Sequence, residues 1–240
     1  MRILIPTCNH YLPSLLPLAH LLHKYWPNPP GVVVGGFDPP TFPLPGNFTF
    51  ISLGKQEDYP VGKWSDQLIK LVTAVDDEVF ILQLEDMWPI KPVDATAVKI
   101  LYDYMVQFRY VARMDLTSDR QFAWGAEDYG EVAHLQLVKS HPDSQYHLSC
   151  MPCIWNRRHF LNAMREGESP WDVELKGTPR LSKTSKQHGT LVLGTKSCPY
   201  SVTLAFRGGD AGKLVGEIPF ELGEGDREEM GRLGLLKPWE

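Results

Sequence analysis

A chain of 240 residues is long enough to bury a substantial core, and a single domain is the default expectation at this length. Hydrophobic residues make up 43% of the sequence and charged residues 22%, which is typical of a globular protein. A net charge of −5 gives no electrostatic footprint for nucleic acid. No apolar run reaches the roughly 20 residues that span a bilayer, and the first residues read as a strand, so we expect a cytoplasmic protein.

The first 105 residues alternate apolar runs with amphipathic segments. The runs MRILIPT, GVVVGG, FTFISL and VFILQL are typical of buried strands. Residues 15–26, 64–75 and 98–105 repeat apolar side chains on one helical face, and Asp94 is placed to cap the last of these helices. VFILQL is apolar on both faces, as a central parallel strand requires.

This alternation predicts an α/β fold with a mixed, mostly parallel central sheet and helices on both faces, because each crossover lays a helix back on the sheet. After residue 105 the pattern becomes less regular: RYVARM, HLQLVK, YHLSCMPCIW, TLVL and YSVTLAF read as strands separated by short helices. No linker or internal repeat divides the chain. We therefore expect one domain, residues 1–240, with halves 1–105 and 106–240.

The four cysteines are too few and too scattered for a disulfide framework. Cys150 and Cys153 form a C-x-x-C pair with His147 and His159 nearby, which raises the alternative of a zinc site. A structural zinc site needs a second matching pair, and the sequence has none. We expect both thiols to lie in the core.

In FILQLEDMWP, residues 80–89, a hydrophobic strand runs directly into two adjacent carboxylates, Glu85 and Asp86. Ligands of open α/β sheets bind beyond the carboxyl ends of the strands. Burying an unpaired carboxylate in an apolar setting costs on the order of several kcal/mol or shifts its pKa. The pair therefore needs a cation, hydrogen-bond donors or water. Two interpretations remain open: oxygen ligands for a Mg²⁺ or Mn²⁺ ion that also holds phosphate, or solvated carboxylates in a loop.

Two segments carry a resemblance to a known family: LGKQEDYPVGKWSDQLIKLVTAVDDEVFILQLEDMWPIKPVD and YHLSCMPCIWNRRHFLNAMREGESPWDVE. They resemble bacterial and viral nucleotide-sugar glycosyltransferases of the A-type fold, over most of residues 1–175. The resemblance implies one α/β sandwich in which the first half binds nucleotide and the second half binds the acceptor.

The resemblance also implies that Glu85 and Asp86 take the place of the acidic pair or Asp-x-Asp motif that binds the ribose and the metal of the donor. Position 87 is Met, so the Asp-x-Asp spacing is absent, and neighbouring strand residues point to opposite sides. We assign the metal to Asp86, and the ribose or a structural contact to Glu85.

The loop after the first strand contains Pro6, Thr7 and Asn9, where the family's fold places the nucleotide base. Thr7 and Asn9 offer hydrogen bonds there, or alternatively form a turn and a helix cap. Asp38, after the second strand, accepts from a uracil or ribose group, or alternatively belongs to a turn. Trp64 shares its stripe with leucines and is expected in the core.

The segment GESPWDVELKG, residues 167–177, predicts a short helix with Ser169 as N-cap. Asp172 falls at the third helical position, where a carboxylate bonds free backbone amides. Glu174 shares a face with Trp171, and a ring beside a carboxylate suits a sugar acceptor. The resemblance places the catalytic base here, so we expect Glu174 to be the general base, with Asp172 in reserve; the alternative for Glu174 is a solvated helix residue.

A leaving diphosphate requires positive charge, and the candidates are Arg180, Lys183, Lys186, His188, Arg207 and Lys213. The polar segment LSKTSKQHGT, residues 181–190, predicts a mobile loop over the donor or a solvated surface loop, and Arg180 precedes it. FRGGDAGKL, residues 206–214, offers Arg207 and Lys213 but lacks the spacing of a P-loop. We assign Arg207 to the donor.

Together these patterns favour a glycosyltransferase that moves a sugar from a nucleotide diphosphate donor, UDP-linked, to a hydroxyl group of a saccharide or lipid-linked acceptor. Mn²⁺ or Mg²⁺ is the expected cofactor and nucleic acid is not an expected partner. Inversion is expected because no nucleophile is indicated. Two alternatives remain: a non-catalytic nucleotide- or glycan-binding protein, and a nucleotidyltransferase, although PTCNHYLP lacks the basic glycine-rich loop of the latter.

Overall fold

Alternating strands and helices build one central sheet in this computed structural model, which describes residues 1–205 and 222–236. The strands are β1 Arg2–Pro6, β2 Gly31–Gly36, β3 Phe48–Ser52, β4 Val79–Leu82, β5 Met87–Pro89, β6 Val111–Asp115, β7 Glu127–Val132, β8 Leu135–Lys139, β9 Cys153–Asn156, β10 Leu191–Thr195 and β11 Val202–Leu204. The helices are α1 Leu15–Tyr25, α2 Trp64–Ala74, α3 Ala95–Gln107, α4 Arg157–Ala163, α5 Pro170–His188 and α6 Glu224–Arg232.

The main sheet has nine strands in the order β3-β2-β1-β4-β9-β6-β10-β8-β7. Parallel pairs join β3 to β2, β2 to β1, β1 to β4 and β6 to β10. Strand β9 is antiparallel to β4 and β6, and β8 is antiparallel to β10 and β7. Of these nine strands, β8 and β9 therefore run against the rest, which confirms a mixed and mostly parallel sheet.

Strands from the second half of the chain extend the sheet begun by the first half. Strand β9 lies between β4 and β6, so the two halves share one sheet and form one domain. The short strands β5 and β11 pair with each other outside the main sheet.

Helices cover both faces of the sheet, as expected. In β1, Ile3 and Ile5 pack into the apolar cluster under α1 and α3, whereas Leu4 packs into the cluster under α2, α4 and α5. Successive strand residues point to opposite faces, so a strand buried on both sides reads as a continuous apolar run. Within the described ranges, no helix has both the length and the apolar content needed to cross a membrane.

Helix α5 is longer than the sequence predicts. It runs as one helix from Pro170 to His188, so the expectation of a short helix followed by a loop at residues 181–190 is wrong. The buried residues Val173, Gly177 and Leu181 repeat every four positions and give this polar segment one packed face. Gly177 allows the close approach, because a Cβ atom there would lie 2.8 Å from Leu148 Cδ1.

The segment YHLSCMPCIW is also different from its prediction as a strand. Residues 147–152 form a loop, and β9 begins only at Cys153. Cys150 and Cys153 are nevertheless free, buried thiols in the core, as expected.

Candidate functional site

Glu85 and Asp86 form the turn that joins β4 to β5. The turn follows the carboxyl end of β4, beside the carboxyl end of its parallel neighbour β1. Loops that leave such strand ends are where open α/β sheets bind ligands. The sequence therefore places the acidic pair correctly in the fold.

Gln83 fixes the shape of this turn. Its side chain is fully buried, its Nε2 donates to Met87 O at 2.8 Å, and its Oε1 accepts from the Tyr200 hydroxyl at 2.7 Å. From the other side, Ala205 N donates to Asp86 O at 2.6 Å. Gln83 thus links the residues that precede and follow the acidic turn, and the buried Ala205 holds the backbone of Asp86.

The two carboxylates carry an uncompensated charge. Burial raises the pKa of Glu85 well above its ordinary value and the charge of Asp86 adds to the rise, while a hydrogen bond from Thr7 opposes it. Burial raises the pKa of Asp86 to about 6. Asp86 Oδ1 is buried and has no hydrogen-bond partner among the described residues. A cation bound here would offset both the burial and the mutual repulsion.

A cavity of about 990 Å³ opens beside the acidic turn. It is bounded by the loop after β1, the residues leading into α2, the acidic turn, and the start of α5. Its lining contains three carboxylates and, among the residues described, neither Lys nor Arg. The lining residues are Thr7, Cys8, Asn9, His10, Tyr11, Gln56, Glu57, Tyr59, Pro60, Val61, Trp64, Gln67, Leu84, Glu85, Asp86, Pro170, Trp171 and Leu204.

The starts of α2 and α5 are tied together at the edge of this cavity. Ser65 N donates to Glu168 O at 3.0 Å, and Glu168 N donates to Ser65 Oγ at 2.9 Å. The Glu168 carboxylate accepts from both terminal nitrogens of Arg180, at 2.8 and 2.6 Å. Arg180, a candidate for the diphosphate, is therefore engaged in holding α5, and the exposed Trp171 is brought to the cavity.

The loop residues proposed to contact the base are only partly available to a ligand. Thr7 and Asn9 line the cavity, but Asn9 Nδ2 donates to Asp38 Oδ2 at 2.6 Å, and Asp38 N donates to Asn9 Oδ1 at 3.0 Å. This reciprocal pair joins the loops after β1 and β2. Asp38 is not among the residues lining the cavity, and Pro6 is the buried last residue of β1, paired with Gly35.

Trp64 was expected in the core and instead has two roles. It is partly buried against the apolar cluster under α2, and it also lines the cavity. Its position at the first turn of α2, where the helix meets the loops, explains the difference.

Asp172 is occupied at the start of α5, where the sequence predicts a capping role. Its Oδ2 accepts from Ser169 Oγ at 2.9 Å, and its backbone N donates to Ser169 Oγ at 3.2 Å. Its Oδ1 lies 2.9 Å from Lys176 Nζ. Lys176, followed by Ser169, lowers the pKa of Asp172 below its ordinary value.

Glu174 lies in a different setting from Trp171. Its Oε1 accepts from Cys150 N at 2.7 Å, and it lines a second cavity of about 450 Å³, whereas Trp171 lines the larger one. Residues three apart on a helix diverge by roughly 60° around the axis, which is enough to separate them here. The expected pairing of this ring with this carboxylate is therefore not present.

Sequence reasoning missed the rings that do surround the second cavity. Phe122, Trp124 and Tyr146 line it and are all more than half exposed. The segment RQFAWG contains the signal, since two large aromatic residues flank a small one beside a glycine, but nothing local relates it to Glu174.

The cationic candidates give no phosphate contact within the described part of the chain. Lys186 forms an ion pair with Asp143 on the surface, and Lys183 does not line the larger cavity. Arg207 and Lys213 lie outside the described residues.

No protein-family model and no curated protein matches the sequence. Solved structures do match. S. aureus TarS 1–349 is 14% identical with a TM-score of 0.50, over 83% of this chain and 58% of that one. The galactosyltransferase LgtC, in complex with donor and acceptor sugar analogs, is 12% identical with a TM-score of 0.45, over 81% and 73%. A CMP:2-keto-3-deoxy-manno-octonic acid synthetase complexed with CTP is 14% identical with a TM-score of 0.45, over 80% and 87%.

At these identities the likeness concerns the fold. The match to TarS confirms the single-domain α/β sandwich with a mixed, mostly parallel sheet that the sequence predicts. This chain spans little more than half of that TarS fragment, at 58% of its length.

Proposed function

We propose that the chain is a glycosyltransferase that moves a sugar from a nucleotide diphosphate donor, UDP-linked, to a hydroxyl group of a saccharide or lipid-linked acceptor. The observation that carries the proposal is the half-buried pair Glu85 and Asp86, which lies without a compensating cation among the described residues at the edge of a cavity of about 990 Å³. A cavity at the upper end of the usual range for small-molecule sites accommodates a nucleotide sugar.

The charge of this cavity supports a metal-dependent donor site. A diphosphate is an anion, and three carboxylates with neither Lys nor Arg among the described lining residues would repel it. The orphaned Oδ1 of Asp86 fits a ligand of Mg²⁺ or Mn²⁺, and Glu85 fits the ribose or the same cation. Among the described residues, no three His, Cys, Asp or Glu side chains are placed to hold one metal ion together, so donor oxygens and water would complete the coordination. When bound, such an ion supplies charge neutralisation to the leaving diphosphate.

Glu174 is the proposed general base. Its Oε1 is held by Cys150 N, and the side chain lines the second cavity. The acceptor hydroxyl gives its proton to the Glu174 carboxylate while its oxygen bonds to the anomeric carbon. The bond from that carbon to the diphosphate oxygen breaks, and the nucleotide diphosphate leaves with the electron pair. One displacement of this kind inverts the anomeric centre. Asp172 is less suited as a base, because its carboxylate accepts a hydrogen bond from Ser169 and forms an ion pair with Lys176.

Release of UDP from a panel of UDP-sugars, with Mn²⁺ and with a chelator, tests the proposal. We expect UDP release from at least one donor with Mn²⁺, a further increase when a glycan acceptor is added, and no release with the chelator. Release of pyrophosphate from a nucleoside triphosphate and a sugar phosphate would instead identify a nucleotidyltransferase. Binding of nucleotide or glycan without turnover of any donor would identify the chain as a non-catalytic binding protein.

A further inference from the structure

The second cavity is a separate concave surface. It lies between the 3-10 helix Ser118–Phe122, the loop that contains residues 145–151, and the second turn of α5, and has a volume of about 450 Å³. It shares no lining residue with the larger cavity. Its lining residues are Arg113, Asp119, Arg120, Phe122, Ala123, Trp124, Gln145, Tyr146, Ser149, Met151 and Glu174.

Three aromatic rings surround this cavity and are open to solvent. Phe122 is 79% exposed, Trp124 is 68% exposed and Tyr146 is 53% exposed. A cluster of exposed aromatic side chains around a concavity marks an interaction site more often than a chance feature of the surface. His141 packs edge-on against the Trp124 ring, with ring centroids 5.1 Å apart.

The backbone that carries Tyr146 is strained and braced. Tyr146 has φ of +52°, a left-handed conformation that is uncommon outside glycine. Arg120 Nη2 donates to Tyr146 O at 3.1 Å, and the next residue, His147, is buried between the hydroxyls of Ser140 and Ser185. Strain that the surroundings maintain in this way concentrates at functional sites.

The polar groups of the cavity are of both signs. Arg113 and Arg120 line its buried side and share the Asp115 carboxylate, while Asp119 and Glu174 also line it. Arg113 is 1% exposed, and its Nε has no hydrogen-bond partner among the described residues. Such a balance of charge suits a neutral ligand rich in hydroxyl groups better than a phosphate, which requires an excess of positive charge.

Cys150 relates this cavity to the acidic turn. Burial raises the pKa of the Cys150 thiol, and the charges of Glu174 and Asp86 both add to that rise. The thiol is therefore within electrostatic reach of both carboxylates, and Glu174 also bonds the backbone of Cys150.

We propose that this cavity binds a neutral saccharide, with one face of a pyranose ring stacked on Trp124 or Phe122 and its hydroxyl groups bonded to Glu174 and the neighbouring polar side chains. The assignment of this saccharide as acceptor rests on the proposed transferase function. The binding of the saccharide does not rest on that function, and it is measured separately.

Fluorine NMR of protein labelled with 5-fluorotryptophan separates the two cavities. The chain has seven tryptophans, and Trp124→Phe and Trp171→Phe assign the two resonances needed. The probes are methyl glycosides of neutral hexoses, 6-deoxyhexoses and N-acetylhexosamines, and, in a separate titration, UDP with Mn²⁺. We expect at least one glycoside to move the Trp124 resonance and not the Trp171 resonance.

A Phe122→Ala variant, titrated with the same glycoside, should weaken its binding about tenfold, which corresponds to about 1.4 kcal/mol, because it removes a large aromatic contact surface. Leu175→Ala is the matched control, because Leu175 is 63% exposed on α5 and lines neither cavity; it should leave the affinity unchanged.

A Trp124 resonance unmoved by every glycoside, or equal weakening by Leu175→Ala, would overturn the inference. So would movement by dodecyl phosphate alone, which would identify a lipid phosphate site. A Trp171 resonance that does not move on addition of UDP with Mn²⁺ would count against the proposed donor site. It would not affect the conclusion about saccharide binding.

Discussion

The two cavities that meet α5 at Trp171 and Glu174 differ in how their charges are balanced. In the larger one, Glu85 and Asp86 lie side by side with raised pKa values and, in the described part of its lining, without Lys or Arg. In the smaller one, Arg113 and Arg120 share Asp115, and the carboxylate of Glu174 is bonded to a backbone amide. In our proposals the first site therefore binds a cation that compensates its carboxylates, whereas the second, whose lining charges are balanced, binds an uncharged ligand.

The largest expected effect comes from Glu174→Gln. The variant keeps the shape of the side chain and removes the proton acceptor, so transfer should fall by about 10²- to 10⁴-fold, the usual contribution of a general base. UDP affinity with Mn²⁺ should remain unchanged, because Glu174 does not line the larger cavity. Steady-state kinetics and calorimetry measure the two quantities. Glu131→Gln, on an exposed strand, is the control, and a Glu174 variant with normal turnover would remove this residue as the base.

Acidification should weaken the region around the smaller cavity. Burial, followed by the charges of Arg120 and Arg113, lowers the pKa of His147 to about 3. The unfolded chain takes up this proton near its ordinary pKa of about 6.5. Stability is therefore complete above that pH and is lost as pH falls toward 3, at about 1.4 kcal/mol per pH unit.

Urea unfolding at pH 7 and pH 5 measures this loss. Wild type should lose about 2 kcal/mol more than His147→Gln over this interval. His134→Gln, at an exposed position, should keep the wild-type slope. Equal slopes for wild type and His147→Gln would show that His147 is protonated normally in the folded protein.

At the larger cavity, Asp86→Asn should raise the stability of the ligand-free protein and reduce the stabilisation that Mn²⁺ and UDP provide. Since the pKa of Asp86 is about 6 in the folded protein, its charge at pH 7 costs up to about 3 kcal/mol, and the amide should raise the free energy of unfolding of the metal-free protein. The gain should vanish below about pH 4, where the carboxyl is protonated in both states.

With Mn²⁺ and UDP the same variant should lose its stabilisation. Wild type at about 100-fold excess of ligand over Kd gains roughly 2.7 kcal/mol, or about 5 to 10 °C in Tm. Asp86→Asn should gain little, and Asp103→Asn, an exposed aspartate on α3, should respond like wild type. Thermal denaturation of the three proteins, each with and without Mn²⁺ and UDP, measures these shifts in Tm. Identical shifts for Asp86→Asn and wild type would exclude Asp86 as a ligand.

A smaller effect is expected from Tyr200→Phe. It removes the hydroxyl that donates to Gln83 and leaves a buried acceptor unpaired, at about 1 to 3 kcal/mol of stability. UDP affinity should also fall a few-fold, because Gln83 holds the acidic turn. Tyr102→Phe loses a comparable bond to Val79 at the other end of β4, and should change stability without changing UDP affinity. Equal loss of UDP affinity in both variants would indicate a general effect on the sheet.

The sequence predicts the parts of this molecule that local pattern determines. The apolar runs and the helical stripe of residues 64–75 are visible because burial on a sheet imposes periods of 2 and 3.6. The acidic turn is visible because two carboxylates directly after a buried strand conflict with burial. The capping box at Ser169 and Asp172 is equally local.

What the sequence does not reveal depends on contacts between distant residues. The packed face of α5 includes Gly177, which lies against Leu148, a residue far from it in sequence. The side chains of Asn9 and Asp38 bond each other across 29 positions, so their availability to a base is invisible locally. The second cavity joins Trp124, Tyr146 and Glu174 from three separate segments, and no period relates them.

Calorimetric titration of the wild-type protein with UDP, in Mn²⁺ and then in a chelator, tests most directly whether the acidic turn requires a cation to receive a diphosphate. A requirement for the cation predicts saturable binding with Mn²⁺ and at least about tenfold weaker binding without it, corresponding to about 1.4 kcal/mol or more. Equal affinity in the two conditions, or no binding in either, would contradict it.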